Sequence, residues 1–348
     1  MKRVLLILGL LTALAALAEA LILLQMRFDP SRLLPRVALD PWFFGALLES
    51  LALLLGAFVG LTQSGLVRQL RQWAVASHWA AFGMPFLLVV PYLVYALGAG
   101  AFSFPAAGKI VAYIAVPTFL LLPDRMRRLE GVGWRDLAAM LALALPVQVH
   151  WFQGVWSLPQ QPNAFRLLLG IQDLYFFQPL FCVCVGAYAF MVVRNLEGVG
   201  YRLLWRKGDA IDGLANFAAF SLLGIPLGIF LGFLHPHVPG ASLWDVPVHF
   251  VGTYLTIAIP EELLFRGLLQ NILVRSIRRG PRGLYGLLIA SVVFGASHLY
   301  HAPGPNWKYA ILATLAGIFY GNAYRNRQRI SASALTHALV DTAWHFWF

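Results

Sequence analysis

Residues 247–274 read PVHFVGTYLTIAIPEELLFRGLLQNILV, an apolar run that is interrupted by a proline, two adjacent glutamates and an arginine. A helix that crosses a hydrocarbon layer of ~30 Å needs about 20 apolar residues, so this run is long enough to span a membrane. An ionisable residue at that depth costs roughly 2.5 to 3.5 kcal/mol, so several in one helix demand a function. The run therefore predicts a membrane helix that carries chemistry.

The rest of the chain has the same apolar character. Hydrophobic residues make up 59% of the 348 positions and the mean hydropathy is +0.71, which excludes a soluble globular protein. Apolar windows of membrane-spanning length recur at about residues 4–25, 41–61, 77–98, 106–123, 136–153, 167–193, 213–234, 247–274, 284–300, 309–324 and 332–348. We therefore predict an all-α protein, a polytopic transmembrane helical bundle of about 11 spans.

The net charge of +11 arises from 26 lysines and arginines against 15 acidic residues. These cations lie in short loops between the apolar windows and not on a soluble domain, so nucleic acid is not an expected partner, whereas membrane lipids are. Nineteen cations fall on one side of the predicted bundle and five on the other, which predicts a cytoplasmic N-terminus and an external C-terminus. Arginine outnumbers lysine 22 to 4, a bias that suggests a GC-rich bacterial genome, so we expect an integral multi-pass protein of a bacterial plasma membrane.

Ionisable residues within the windows are concentrated late in the chain. Before residue 247 they are isolated, whereas Glu261, Glu262, Arg266, His298, His337 and Asp341 follow within four windows. Such groups usually face a wet cavity. We therefore divide the chain into N-terminal transmembrane helices of unassigned role, residues 1–209, and a functional domain, residues 210–348.

The first polar cluster separates two adjacent glutamates. Glu262 and Arg266 are four residues apart, one helical turn, with the acid on the favourable N-terminal side. Glu261 is rotated by about 100° around the helix and lacks that partner. The spacing therefore predicts that Glu262 is neutralised in a structural ion pair and that Glu261 is free for proton transfer.

Two further polar clusters follow on separate windows. Residues 294–298 read FGASH and residues 337–341 read HALVD, each with its outer residues one helical turn apart. A carboxylate beside histidines can activate water as a general base, and other donors can stabilise an oxyanion. We expect Glu261, His298 and His337 to share one aqueous pocket.

These three segments, EELLFR, FGASH and HALVD, resemble the ordered motifs EExxxR, FxxxH and HxxxN/D of the CAAX protease and bacteriocin-processing family. That family comprises intramembrane endopeptidases related to the type II CAAX prenyl endopeptidases. The resemblance covers roughly residues 210–348. It implies an enzyme that hydrolyses a peptide bond near the end of a membrane-associated, prenylated or otherwise lipid-tethered substrate.

The resemblance also implies roles for single residues. Glu261 and His298 match the pair that is thought to activate the attacking water. His337 and Asp341 match residues that are assigned to oxyanion stabilisation or to the surrounding network, and Glu262 with Arg266 matches the structural pair. Asp341 stands where the prenyl-processing members have asparagine, so a hydrogen bond from it to an oxyanion requires its protonated form.

Other interpretations stay open at this point. Glu261, His298 and His337 would make a credible zinc set, although the sequence requires no metal. A polytopic transporter would also carry buried charges, but its matched halves are absent, and a catalytically silent scaffold would not need intact motifs. His345 is interpreted as an interfacial residue, and His249 receives no role. Neither the substrate nor the oligomeric state is readable from the sequence.

Overall fold

The computed structural model describes residues 41–126, 131–158, 174–238, 240, 245–277, 281–300 and 304–348. The regular elements of these residues are helices and none is a strand, which confirms the all-α prediction. We number the described helices α1 to α11 in chain order. The apolar window at residues 4–25 lies outside the described residues.

The described chain forms two compact units. Among the described residues, the first unit comprises 41–126, 141–158 and 174–194. Its helices are α1 (Pro41–Gly60), α2 (Ser64–Ala76), α3 (His78–Gly98), α4 (Phe104–Asp124) and α6 (Phe177–Val193). Its core is aromatic, because Trp156 stacks on Phe177 with 4.9 Å between ring centroids and Tyr95 packs against both. Helix α5 (Trp134–Gln148) is divided between the two units.

Among the described residues, the second unit comprises 131–140, 195–238, 240, 245–277, 281–300 and 304–348. Its helices are α7 (Lys207–Phe230), α8 (residues 245–276), α9 (Arg282–Ser297), α10 (Trp307–Arg327) and α11 (Ile330–Trp347). Helix α10 packs against α7, α9 and α11, and α11 also packs against α7 and α8. Buried aromatic side chains from four helices, Phe220, Phe265, Phe294 and Tyr320, form the core. The functional division at residues 209 and 210 stays a prediction, because compactness does not reveal a role.

Helix α8 changes its hydrogen-bond register on both sides of the two glutamates. Its α-helical start, Asp245–Thr253, passes into a π-helical stretch, Tyr254–Ala258. A short α-helical turn, Ile259–Glu262, is followed by a second π-helical stretch, Leu263–Gln270. Pro260 accounts for the first change because it lacks the N–H that an α-helix donates to the carbonyl one turn earlier. Widened turns of this kind occur frequently at functional sites.

Helix α11 is buried from its first residue, Ile330, although residues 325–328 just before it are exposed. The carbonyl of Gly200 accepts a hydrogen bond of 2.9 Å from the backbone N–H of Ile330, so the segment around Gly200 covers the start of the helix. Gly200 has a φ of +68°, and a Cβ there would lie 2.3 Å from the carbonyl oxygen of Gln328, so glycine is needed at this position. Residues 330–338 of α11 are all buried, including its serines and Thr336.

Four described helices are long and apolar enough to cross a membrane, namely Trp42–Gly60, His78–Gly98, Phe104–Asp124 and Lys207–Phe230. Two shorter apolar helices are Phe177–Val193 and Gly283–Ser297. The predicted number of about 11 spans is therefore not confirmed, although the ten windows from residue 41 onward each overlap a described helix. Helices α8 and α11 are less apolar than these helices, because they carry polar side chains that are buried within the protein, such as Glu262 and Thr336.

Helix α2 is an element that the apolar windows missed. It buries Val67 and Ala74 and exposes Arg68 and Gln72, so it is amphipathic and its mean hydropathy is low. The sequence analysis treated its arginines as loop residues.

Candidate active site

Three helices of the second unit bring the predicted site residues together. Helix α8 carries both glutamates and Arg266, α9 ends at Ser297 with His298 as its C-cap residue, and α11 carries His337 and Asp341. The site is therefore built from elements that are packed against one another, as a catalytic constellation requires.

Glu262 and Arg266 form a fully buried ion pair. The Nε atom of Arg266 lies 3.2 Å from Oε2 of Glu262, and both side chains are 0% exposed. Arg266 also donates a hydrogen bond from Nη2 to the carbonyl of Gly317 at 3.2 Å, and its guanidinium lies 4.5 Å from the ring centroid of Phe294. A buried charge needs such compensation, because leaving it unpaired costs several kcal/mol.

His337 is held between carboxylates from two helices. Its Nδ1 atom lies 2.9 Å from Oε1 of Glu262, and its Nε2 atom lies 3.3 Å from Oδ2 of Asp341 and 3.8 Å from Oε2 of Glu261. A carboxylate accepts a hydrogen bond, so Nδ1 carries the hydrogen that binds Glu262. Tyr320 stacks on the imidazole with 4.5 Å between centroids and 15° between planes, which fixes the orientation of the ring.

The two adjacent glutamates have different environments. The side chain of Glu261 is 33% exposed and lines a cavity, whereas that of Glu262 is 0% exposed. The Oε2 atom of Glu261 is buried and makes no hydrogen bond to the described residues. One carboxylate is therefore engaged by buried partners, and the other faces a space that can hold water and substrate.

His298 presents one defined nitrogen for chemistry. Its Nδ1 atom lies 2.8 Å from the carbonyl oxygen of Phe294, which can only accept, so Nδ1 carries the hydrogen and the lone pair of the neutral ring is on Nε2. The ring also packs against Tyr309 at 4.8 Å. Close packing of α9 on α10 sets the position of His298. A Cβ on Gly295 would lie 2.5 Å from the carbonyl oxygen of Ala310 on α10, so only glycine fits there.

One cavity of about 480 Å³ joins these groups. Glu261, His298, His337 and Asp341 all line it. Its other walls are largely apolar and aromatic, and they include Phe220, Phe233, Ile257, Leu312, Val340 and Trp344. The arrangement combines two imidazoles and two carboxylates with an apolar space for a substrate.

The predicted zinc set does not form a three-ligand site in the described residues, where no group of three His, Cys, Asp or Glu side chains is placed to hold a metal ion. Nδ1 of His337 binds Glu262 and Nδ1 of His298 binds the carbonyl of Phe294, so Nε2 is the nitrogen that each ring would offer to a metal. Zinc therefore stays a hypothesis to be tested by metal analysis.

The sequence analysis missed several groups around the site. Tyr320 stacks on His337, and Tyr309 packs on His298, yet neither stood out, since an aromatic residue in an apolar helix has no distinctive pattern. The contact between Glu262 and His337 was also missed, because it joins two distant helices.

His249 and His345 were assigned no catalytic part but line the same cavity. The spacing of His337, Asp341 and His345 at successive intervals of four would have indicated one helix face.

Comparisons with known proteins agree with this constellation. Residues 243–343 match the model of a family that is described as type II CAAX prenyl endopeptidase Rce1-like. The matched segment contains all six predicted site residues. No curated protein and no solved structure matches the chain. The apolar helices and this match together identify an integral membrane protein. Residues 243–343 of the chain are therefore similar to the type II CAAX prenyl endopeptidases.

Proposed function

We propose that this protein is an intramembrane endopeptidase that hydrolyses a peptide bond near the end of a membrane-associated or lipid-tethered substrate. The observation that carries the proposal is the shared cavity, where Glu261 and His298 from two helices stand with His337 and Asp341. The family match at residues 243–343 supports a protease of the CAAX type.

Glu261 and His298 are the proposed water-activating residues. Glu261 is the carboxylate that faces the cavity, and His298 offers the lone pair on Nε2 when its ring is neutral. A water held between them loses a proton to Glu261 as its oxygen attacks the carbonyl carbon of the substrate. The same proton then passes to the nitrogen of the leaving amine, and the C–N bond breaks. The products are a carboxylic acid and an amine, so water is the only co-reactant.

His337 and Asp341 are the proposed partners of the developing oxyanion. Nε2 of His337 lies near the carboxyl groups of both Glu261 and Asp341, and Glu262 holds the opposite nitrogen. Because Nδ1 carries the hydrogen that binds Glu262, Nε2 donates only when the ring is an imidazolium, and this fixed cation would stabilise an oxyanion. We assign Asp341 to the orientation of His337, or, in its protonated form, to donation of a second hydrogen bond.

The chemistry of the walls favours a lipid-tethered substrate. The cavity is lined mainly by aromatic and aliphatic side chains, a surface that suits an apolar chain or prenyl group. We assign the protein to a multi-pass topology in a bacterial plasma membrane, with membrane lipids and a membrane-associated peptide or protein as its partners.

A polytopic transporter and a catalytically silent scaffold are the competing functions. The family match and the placement of Glu261 in the cavity favour the protease over both. A transporter would move a substrate unchanged, and a scaffold would bind without turnover, so product analysis separates the three.

The experiment is hydrolysis of an S-farnesylated peptide that ends in cysteine followed by three residues, by the purified chain in lipid nanodiscs. Mass spectrometry detects the released peptide. The wild type is expected to cleave and Glu261→Gln is expected to be inactive at unchanged thermal stability. Glu49→Gln in α1 is the matched control, because this exposed glutamate lies outside the cavity and should leave turnover unchanged.

A further inference from the structure

Three arginines of the second unit lie around one buried carboxylate. Arg202 and Arg206 belong to the irregular segment that precedes α7, and Arg329 precedes α11. The Nε atom of Arg329 lies 2.7 Å from Oδ2 of Asp209, and the backbone N–H of Arg206 donates to the same oxygen at 2.9 Å. The Nη2 atom of Arg329 also donates to the carbonyl of Leu204 at 2.8 Å, which holds its guanidinium beside the segment. We call Arg202, Arg206 and Arg329 the arginine cluster.

The cluster carries more positive charge than Asp209 compensates. Burial lowers the pKa of Arg202, and the charges of Arg329 and Arg206 lower it further, so the three guanidinium groups are close enough to repel one another. Asp209 supplies a single negative charge, is 1% exposed and also accepts a hydrogen bond from Oγ of Ser331 at 3.2 Å. This carboxylate is therefore shielded by its donors and opposes an incoming anion only weakly.

The other charged residues of these segments do not reverse the excess. Residues 202–212 and 327–329 contain five cations and two acids. The second acid, Asp212, forms an ion pair with Arg327. Lys207 at the start of α7 is exposed and adds a further cation. An anion beside the arginine cluster therefore meets a net positive potential.

Two apolar side chains beside the cluster favour a lipid as the source of that anion. Leu204 is 84% exposed and Trp205 is 43% exposed, and both lie between Arg202 and Arg206 in sequence. Trp205 is fixed in place, because its Nε1 atom donates to the hydroxyl of Tyr254 at 2.9 Å and its ring packs edge-on against the same residue. Tryptophan is enriched where a membrane meets water, and basic segments there attract anionic lipids. A soluble anion would gain nothing from these apolar side chains.

We propose that the arginine cluster binds the phosphate group of an anionic membrane lipid whose acyl chains lie against Leu204 and Trp205. The planar donors of guanidinium groups match phosphate oxygens, which makes arginine a suitable residue for such a site. The site is separate from the cavity and does not depend on the proposed protease function. It touches both helices that carry the acids of that cavity, because Trp205 binds Tyr254 on α8 and Arg329 immediately precedes α11.

The test measures lipid binding to the purified, detergent-solubilised chain by native mass spectrometry. The wild type is expected to bind phosphatidylglycerol at least about tenfold more tightly than the zwitterionic phosphatidylcholine. The double variant Arg202→Gln, Arg206→Gln should lose at least about tenfold in affinity for phosphatidylglycerol and none for phosphatidylcholine. The matched control is Arg68→Gln, Arg325→Gln, which removes two exposed arginines outside the cluster and should keep the preference.

Three results would overturn the proposal: equal affinity for the two lipids in the wild type, an unchanged affinity for phosphatidylglycerol in the double variant, or an equal loss in the control. Thermal unfolding shows whether each variant is folded. The single variant Arg206→Gln gives a second route if the double variant unfolds, because the side chain of Arg206 is exposed.

Two further measurements separate a lipid from a free anion. Glycerol phosphate at the concentration of the lipid is expected to leave phosphatidylglycerol bound, and displacement of the lipid would show a site for a soluble anion instead. Leu204→Ser keeps all three arginines and should weaken the binding of phosphatidylglycerol. Unchanged binding in this variant would contradict the acyl-chain contact that the proposal requires.

Discussion

The Nδ1 atom of His337 on α11 lies 2.9 Å from the Oε1 atom of Glu262 on α8, and the other oxygen of the same carboxylate faces Arg266 at 3.2 Å. The buried carboxylate of Glu262 thus pairs with Arg266 on its own helix and orients the imidazole of His337 on another helix. Glu262 is consequently a positioning residue as well as the partner of Arg266. Its neighbour Glu261 is left to face the cavity.

Glu262→Gln is expected to destabilise the protein strongly. The change removes the negative charge that compensates Arg266 and also weakens the hydrogen bond to His337, and a broken buried pair costs about 3–5 kcal/mol. Thermal unfolding in detergent measures the loss. The matched control is Asp212→Asn, which breaks the ion pair with the exposed side chain of Arg327 and should cost about 0–1 kcal/mol. Equal unfolding temperatures for the wild type and Glu262→Gln would refute the structural role of this carboxylate.

Asp341→Asn is expected to retain turnover within about tenfold of the wild type, because an amide can hold Nε2 of His337 or donate to an oxyanion as a neutral group. Asp341→Leu should lose activity, since it can do neither. Peptide cleavage and elemental analysis of both purified variants are the measurements. The orienting role would be abandoned if Asp341→Asn were inactive and also lacked a metal that the wild type contains.

Gly295→Ala is expected to reduce both stability and activity. A Cβ at this position would lie 1.8 Å from Oγ1 of Thr314 and 2.5 Å from the carbonyl oxygen of Ala310, so α9 must move away from α10. Overpacking of this kind costs about 1–3 kcal/mol, and a shift of His298 by about 1 Å can cost 100-fold in turnover. Gly252→Ala on α8 is the control, because a Cβ there meets nothing within 4 Å. Equal kinetics for the two variants would contradict the tight packing beside His298.

We expect the membrane orientation that the distribution of loop arginines and lysines predicts. Reporter fusions at residues 235–246 and 301–308 should lie outside the cytoplasm, because 19 of the loop cations lie on the opposite side of the predicted bundle. Cytoplasmic reporter activity from fusions at either position would reverse the predicted orientation.

The helical fold and the three clusters were predictable because each depends on local sequence. Apolar length indicates helices, and spacing by four residues places Glu262 beside Arg266 on one helix. The distances between residues on different helices were not predictable from sequence spacing. Counting 1.5 Å per residue from the cytoplasmic ends of the predicted spans puts Glu261 at about 20 Å and His337 at about 9 Å, yet Oε2 and Nε2 lie 3.8 Å apart.

The reason for this difference lies at the start of α11. Hydropathy treats the first residues of each window as facing lipid, but the first residues of α11 are buried in protein, and the N–H of Ile330 binds the carbonyl of Gly200. Its polar residues, such as Ser331 and Thr336, are buried in protein and not in lipid. A single sequence carries no signal for such covering.

Hydrolysis of the farnesylated peptide by wild-type and Glu261→Gln protein, measured side by side in nanodiscs, tests whether Glu261 activates the attacking water. The wild type is expected to release the terminal peptide, and Glu261→Gln, folded and equally stable, is expected to release at least about 100-fold less, because it lacks the general base. Cleavage by Glu261→Gln at the wild-type rate would contradict the assignment of this carboxylate as the base that activates water.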